Sequence, residues 1–160
     1  ARFRAAVLES ASPGLETEEE RRARREHDER LAQAMESQPL AKTVRDWYDQ
    51  PLFATMARQP ERLSRLLEER AGRDLRGLAT SLRVMGTGRQ PSLWERLPTC
   101  ATRLCLVAGA LDAKYAALAR RMAETCPNAE LHLFPDCGHN VHWENGAEYT
   151  RRVKAFLERV

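Results

Sequence analysis

Ala129-Glu130-Leu131-His132-Leu133-Phe134-Pro135-Asp136-Cys137-Gly138-His139-Asn140-Val141-His142 is the stretch whose reading decides the fold. Its first six residues alternate in the period of a half-buried strand. Asp136 to His142 then place a glycine and two histidines in a tight turn, and beyond it Val153, Phe156, Leu157 and Val160 share one face of a helical pattern. A strand, a histidine-bearing turn and a closing helix are therefore expected. Upstream, Arg103-Leu104-Cys105-Leu106-Val107-Ala108-Gly109 reads as another buried strand, with Asp112 just past its end.

Those residue types suit proton transfer. A histidine takes and returns a proton near neutral pH, and a buried carboxylate fixes its tautomer and stabilises the imidazolium. In this reading Asp112 orients and His139 transfers. Each has a plainer reading beside it: Asp112 caps the following helix, and His139 is a loop histidine. A metal reading rests on His139, His142, Asp136, Cys137 and Glu144 in one short loop, but no C-x-x-C pair or H-E-x-x-H spacing accompanies them, so no metal is expected. An aspartate and then a histidine at successive strand ends is the order of the last two members of an α/β-hydrolase triad, and the chain resembles the C-terminal portion of that fold.

Composition sets bounds on the rest. The chain of 160 residues is long enough for a real core but short for an α/β hydrolase. The formal net charge of +3 is spread through Arg-Glu-rich helical segments, which argues against a nucleic-acid partner. Cys100, Cys105, Cys126 and Cys137 show neither metal spacing nor disulfide-scaffold density, so a reducing compartment is expected. No apolar run approaches the roughly 20 residues of a membrane span, and no signal-peptide architecture opens the chain.

In chain order, Phe3 to Glu9 reads as a short strand followed by the turn-rich Ser10-Ala11-Ser12-Pro13-Gly14-Leu15. Thr17 and Glu20 make a T-x-x-E capping box for a helix from about Glu18 to Glu36. On it Arg21, Arg24, Arg25 and Asp28 fall on one face, which by itself reads as a solvated, salt-bridged surface. Thr43 to Met56 is aromatic-rich and broken by Pro51, with most of its large side chains, Tyr48 among them, expected in the core. Two amphipathic helices follow. One starts at Pro60, carries Leu63, Leu66 and Leu67 and ends near Ala71-Gly72; the other carries Leu75, Leu78, Ala79 and Leu82 and stops near Gly86. The expected organisation is a core strand and loop at residues 1–16, a helical lid inserted between two core strands at residues 17–95, and C-terminal core strands and helices at residues 96–160.

Several segments narrow the resemblance. Glu9-Ser10-Ala11-Ser12-Pro13-Gly14-Leu15, the Arg21 to Asp28 helix and Asp46-Trp47-Tyr48-Asp49-Gln50-Pro51-Leu52-Phe53 resemble the lid of the 2-succinyl-6-hydroxy-2,4-cyclohexadiene-1-carboxylate synthases of menaquinone biosynthesis. Gly109-Ala110-Leu111-Asp112-Ala113-Lys114-Tyr115 and Cys137-Gly138-His139-Asn140-Val141-His142 resemble their Asp and His motifs. Gly88-Arg89-Gln90-Pro91-Ser92-Leu93-Trp94 is similar to the C-terminal domain of the fused plant and algal phylloquinone-pathway protein. The resemblance implies a cytoplasmic enzyme, or a chloroplast-stromal one in the fused case. It implies a cofactor-free lyase that removes a proton from 2-succinyl-5-enolpyruvyl-6-hydroxy-3-cyclohexene-1-carboxylate and expels pyruvate. A serine acts there as base through the His-Asp pair. By matching motifs, Asp112 and His139 are the triad members, and Arg24, Arg70 and Trp47 contact a small polycarboxylate substrate. Arginine suits that task because its guanidinium fork binds carboxylates bidentately and stays charged.

The sequence departs from the family at two places. It contains no G-x-S-x-G and no HGGG-like oxyanion segment, so the N-terminal half of the fold, with the nucleophile serine, is expected to be absent and the chain alone inactive. Asn145-Gly146-Ala147 has glycine where the family commonly has proline. Two other readings stand beside the lyase: an α/β hydrolase acting on an ester or C–C bond, and a noncatalytic remnant that binds an acidic ligand.

Overall fold

The computed structural model describes residues 3–71 and 75–160, in two compact units. One unit comprises Ala1–Pro13, Leu52–Met56 and Glu95–Val160; the other comprises Gly14–Pro51 and Ala57–Trp94. Gly72, read above as the end of a helix, lies outside the described residues.

The first unit is built on a parallel sheet of β1 (Ala5–Glu9), β2 (Arg103–Gly109) and β3 (Ala129–Phe134), in the order β1-β2-β3. Val7 pairs with Cys105, Cys105 with Glu130 and Gly109 with Phe134. From Leu104 onward every residue of β2 is buried, as expected of an apolar run in a central parallel strand covered on both faces. Because parallel neighbours need a crossover, β2 leads into α5 (Ala113–Thr125), which returns the chain to β3. Ala116, Ala119 and Met122 are the buried stripe of α5. On the other side of the sheet, Cys105, Val107 and Phe134 form a core cluster with Cys137, Val141 and Phe156. Phe156 comes from α7 (Gly146–Leu157), the closing helix, and Val141 opens a single turn, α6 (Val141–Glu144). At the Asn145-Gly146 start of α7, Asn145 caps the helix by accepting from the Glu148 backbone N–H at 3.4 Å. Leu52–Met56 joins this unit rather than the helical one, and buries Phe53 and Met56.

The second unit is helical: α1 (Glu18–Ser37), α2 (Leu40–Tyr48), α3 (Pro60–Ala71) and α4 (Leu75–Met85). The capping box forms as read. Thr17 Oγ1 accepts from the Glu20 backbone N–H at 3.1 Å, and Glu20 Oε2 accepts from the Thr17 N–H at 2.9 Å. The two longest-range partners, α1 and α4, meet through Ala32, Met35 and Ala79, with Leu31, Trp47 and Leu82 packed against them. Arg83 of α4 then bridges Glu29 and Glu36 of α1, at 2.9 and 2.5 Å. Among the described residues, no helix is long and apolar enough to cross a membrane.

Candidate active site

The end of β2 and the turn after β3 create the site. Parallel neighbours end on the same side of a sheet, so Asp112 and His139, each just past its strand, are delivered to one edge. Gly109 lets them close. A Cβ at that position would fall inside the contact distance of the Gly138 and Cys137 carbonyl oxygens, so only glycine admits the turn this near to β2. Two backbone bonds tie the approach: the Ala110 N–H donates to the Phe134 carbonyl at 2.8 Å and the Leu111 N–H to that of Cys137 at 3.0 Å.

His139 Nδ1 lies 2.7 Å from Asp112 Oδ2. The Asp112 side chain is 6% exposed and that of His139 18%, so the pair is shielded from water, which strengthens the hydrogen bond. Asp112 Oδ1 meanwhile accepts from the Tyr115 backbone N–H at 3.2 Å and caps α5. The capping and orienting readings of this aspartate are thus not alternatives, because each carboxylate oxygen serves one of them. The imidazole is edged by two aromatic rings, Tyr115 at 4.7 Å and Phe53 at 5.8 Å between centroids. Both are apolar walls that limit ring rotation, and neither was singled out for the site from the sequence.

The other residues of the histidine turn have separate tasks. Glu144 Oε2 accepts from the Gly138 backbone N–H at 2.9 Å, Asn140 Nδ2 lies 3.3 Å from Met56 Sδ, and the exposed ring of His142 sits on Glu9. Cys137 is buried, and burial, followed by the charges of Glu144, Asp136 and Glu9, pushes its thiol up. A different trio, Cys105 Sγ, Glu130 and His132, has ligand atoms within 4.8 Å of one another. Glu130 is already engaged there: His132 Nε2 lies 2.8 Å from it, and Arg159 donates to both of its oxygens at 2.7 and 2.8 Å. Burial, then the Glu130 charge, pushes the Cys105 thiol up to about 11. Glu130 thus sits between His132 and Arg159, with the Cys105 thiol beside it on the sheet face.

Arg24, Trp47 and Arg70 belong to the helical unit. Arg24 Nε donates to Asp28 Oδ1 at 2.8 Å, and Asp28 is 2% exposed, so this arginine neutralises a buried carboxylate. Trp47 is half-buried against the α1–α4 cluster, and Arg70 is exposed near the end of α3.

A family profile described as "Alpha/beta hydrolase family" matches residues 1–152. The 2-succinyl-6-hydroxy-2,4-cyclohexadiene-1-carboxylate synthase of Salmonella enteritidis is 38% identical over 144 residues, which cover 88% of this chain and 53% of the relative. A Bacillus subtilis protein provisionally given the same name is 36% identical over 157 residues, covering 98% of this chain and 57% of the relative. The chain thus spans about half the length of the curated relatives it matches. Among solved structures, MenH from S. aureus superposes with a TM-score of 0.93 at 30% identity, over 98% of this chain and 59% of that one. A malate-bound thermophilic esterase from Thermogutta terrifontis superposes at 0.81 with 18% identity, over 99% of this chain and 57% of that one, a likeness of fold.

Proposed function

Because the chain belongs to the alpha/beta hydrolase family, we propose that it supplies the aspartate, the histidine and the lid of a carbon–oxygen lyase that eliminates pyruvate from 2-succinyl-5-enolpyruvyl-6-hydroxy-3-cyclohexene-1-carboxylate. The reaction belongs to menaquinone or phylloquinone biosynthesis, in the cytoplasm or, for a fused plant or algal protein, the chloroplast stroma. The observation that carries the reading is the 2.7 Å contact of His139 Nδ1 with Asp112 Oδ2, in a chain 38% identical to a protein of that synthase name.

Asp112 holds the Nδ1–H of His139, which leaves Nε2 as the basic nitrogen of the neutral ring. A serine outside this chain passes its proton to Nε2, and its oxygen takes the proton of the substrate. The electron pair left on carbon forms a ring double bond as the ring C–O bond breaks, the pyruvate enolate leaves and takes the proton held on the His139 imidazolium to become pyruvate, and no acyl-enzyme forms. Arg24 and Arg70 bind substrate carboxylates through charge-assisted hydrogen bonds, and Trp47 lines the bound ring. In this reading the coding sequence upstream of Ala1 contains G-x-S-x-G roughly 25 to 35 residues earlier, the length of a nucleophile strand, elbow and helix. The test is pyruvate release by the complete protein, followed by coupled reduction of pyruvate to lactate, beside hydrolysis of a neutral aryl ester. Fast release with slow hydrolysis supports the lyase; the reverse makes the protein an esterase, and neither activity makes it a binding remnant.

A further inference from the structure

The turn that carries His139 is gripped from outside by Glu9, the last residue of β1, and by Ser10, which follows it. Ser10 is the one non-glycine residue with positive φ among those described, at 44°, and its Oγ donates to the His139 carbonyl oxygen at 2.7 Å. Its backbone N–H donates to the Val107 carbonyl at 2.8 Å, which holds that conformation at the strand end. Glu9, with a side chain 16% exposed, accepts from the His142 backbone N–H at 3.1 Å, and both its oxygens lie 2.9 Å from His142 Nδ1. Burial, and then the charge of Glu9, pushes the Tyr149 phenol up. Glu144 holds the upstream flank through the Gly138 N–H.

We propose that Glu9 and Ser10 are positioning residues that set the orientation of the His139 imidazole, an inference that rests on His139 being the proton carrier. The residue before His139 is a glycine, so the turn has little stiffness of its own. The Ser10 hydroxyl fixes the peptide plane that follows the His139 Cα, and the tethered Gly138 and His142 N–H groups pin the chain one residue before it and three residues beyond it. The direction of its Cα–Cβ bond follows, and Asp112 fixes the ring from the other end. Releasing the β1 tethers lets the turn drift against that anchor, and a displacement of about 1 Å costs a reaction roughly a hundredfold.

The experiment compares Glu9→Ala, Glu9→Gln, Ser10→Gly, Ser10→Asn and His142→Ala in the complete protein. Ser10→Gly keeps the positive φ without a Cβ and deletes only the hydroxyl; Ser10→Asn tolerates that φ and restores a donor. Glu9→Ala and Ser10→Gly are expected to lower kcat about tenfold at unchanged KM, with thermal midpoints near that of the parent. In both, the low-field proton resonance of the His139–Asp112 hydrogen bond should move or broaden. Glu9→Gln and Ser10→Asn should recover most of the loss. His142→Ala should lose less than Glu9→Ala, because its backbone N–H still reaches Glu9. Full kcat and an unchanged resonance in Glu9→Ala and Ser10→Gly overturn the proposal, as does a loss of kcat that tracks the thermal midpoint and is not rescued. Should His139→Ala retain turnover, the proton-carrier reading fails by that result, while the resonance of the Glu9 and Ser10 variants still decides the positioning.

Discussion

Gly109 and Gly138 approach so closely that a Cβ on Gly109 would run into the Gly138 carbonyl oxygen. The obstruction is backbone, which cannot rotate away as a side-chain tip can. Gly109→Ala must therefore push the histidine turn off β2 and lengthen the His139–Asp112 contact. Expected are a thermal midpoint lowered by several degrees, consistent with roughly 1 to 3 kcal/mol of overpacking, and a fall in turnover larger than the stability loss explains. Unfolding curves and steady-state kinetics on the same preparation check it.

If His139 carries the proton and Arg24 and Arg70 hold the substrate, His139→Ala in the complete protein should lower kcat by about 10²- to 10⁴-fold while leaving KM nearly unchanged. Asp112→Asn is the more informative partner. An asparagine Oδ1 still accepts from the Tyr115 N–H, so the cap of α5 survives while the tautomer of His139 is no longer fixed. A severe kcat loss at parental stability is expected. Parental turnover in His139→Ala would reduce His139 to a loop histidine.

Arg24 cannot be tested by simple truncation. Its removal takes the partner from Asp28, a carboxylate 2% exposed, and because the Arg24 side chain itself is 36% exposed and screened by water, Arg24→Ala should destabilise the helical unit by about 1 to 3 kcal/mol. Arg24→Ala combined with Asp28→Ala should recover much of that stability. If the arginine also binds substrate, the double variant keeps a KM raised by about 1.5 to 3 kcal/mol for a polycarboxylate, with no change for a neutral ester. Arg70→Ala, at an exposed helix end, should raise the same KM without affecting stability. Equal effects on both substrates would assign these arginines to folding.

How far the sequence carries the site follows from the range of each interaction. The apolar run of β2, the alternation of β3, the Thr17–Glu20 box and the histidine turn are local patterns, and the structure forms them as read. Asp112 was legible because it ends a strand and starts a helix. The bond from Ser10 to the His139 carbonyl spans 129 positions, and that from Glu9 to His142 spans 133. Neither residue carries a periodicity or motif pointing at its partner; only parallel pairing of β1 beside β2 brings them together. The burial of Phe53 beside the imidazole was equally hidden, because an aromatic residue in a helical stretch signals only that it packs.

Acid should loosen the closing helix through Glu148. Arg151 first, then Arg152, lowers its carboxyl from the ordinary 4.5 to about 2. A carboxylate depressed in the folded state stabilises above its unfolded pKa and loses that contribution as pH falls through the folded value. The affected window is therefore about pH 4.5 down to 2, and because the pair is at the surface the effect is small and screened by salt. Thermal midpoints measured across that window should fall less for Glu148→Gln than for the parent. Identical slopes would show that the three side chains are not coupled in solution.

The 160-residue chain expressed alone should be inactive, and poorly soluble or molten. β1 is an outer strand whose five residues are all half-buried, and no described strand pairs with its far edge. A parallel sheet is stable only when both faces and its interior edges are covered, and an open edge of this kind invites association. At roughly 25 cal/mol per Å², leaving about 400 Å² of apolar surface uncovered forfeits about 10 kcal/mol, comparable with the whole stability of a typical domain. Helices of the Gly14–Pro51 and Ala57–Trp94 unit depend on contacts between α1 and α4 and should persist. The measurement is near-UV circular dichroism of Trp47, Trp94 and Trp143, with thermal unfolding and dye binding on the same sample. Strong far-UV helix signal, weak near-UV signal and dye uptake are expected. A monomer with fixed tryptophan signals, cooperative melting and no dye uptake would mean that β1 tolerates its open edge, and the binding-remnant reading would then take precedence over the lyase.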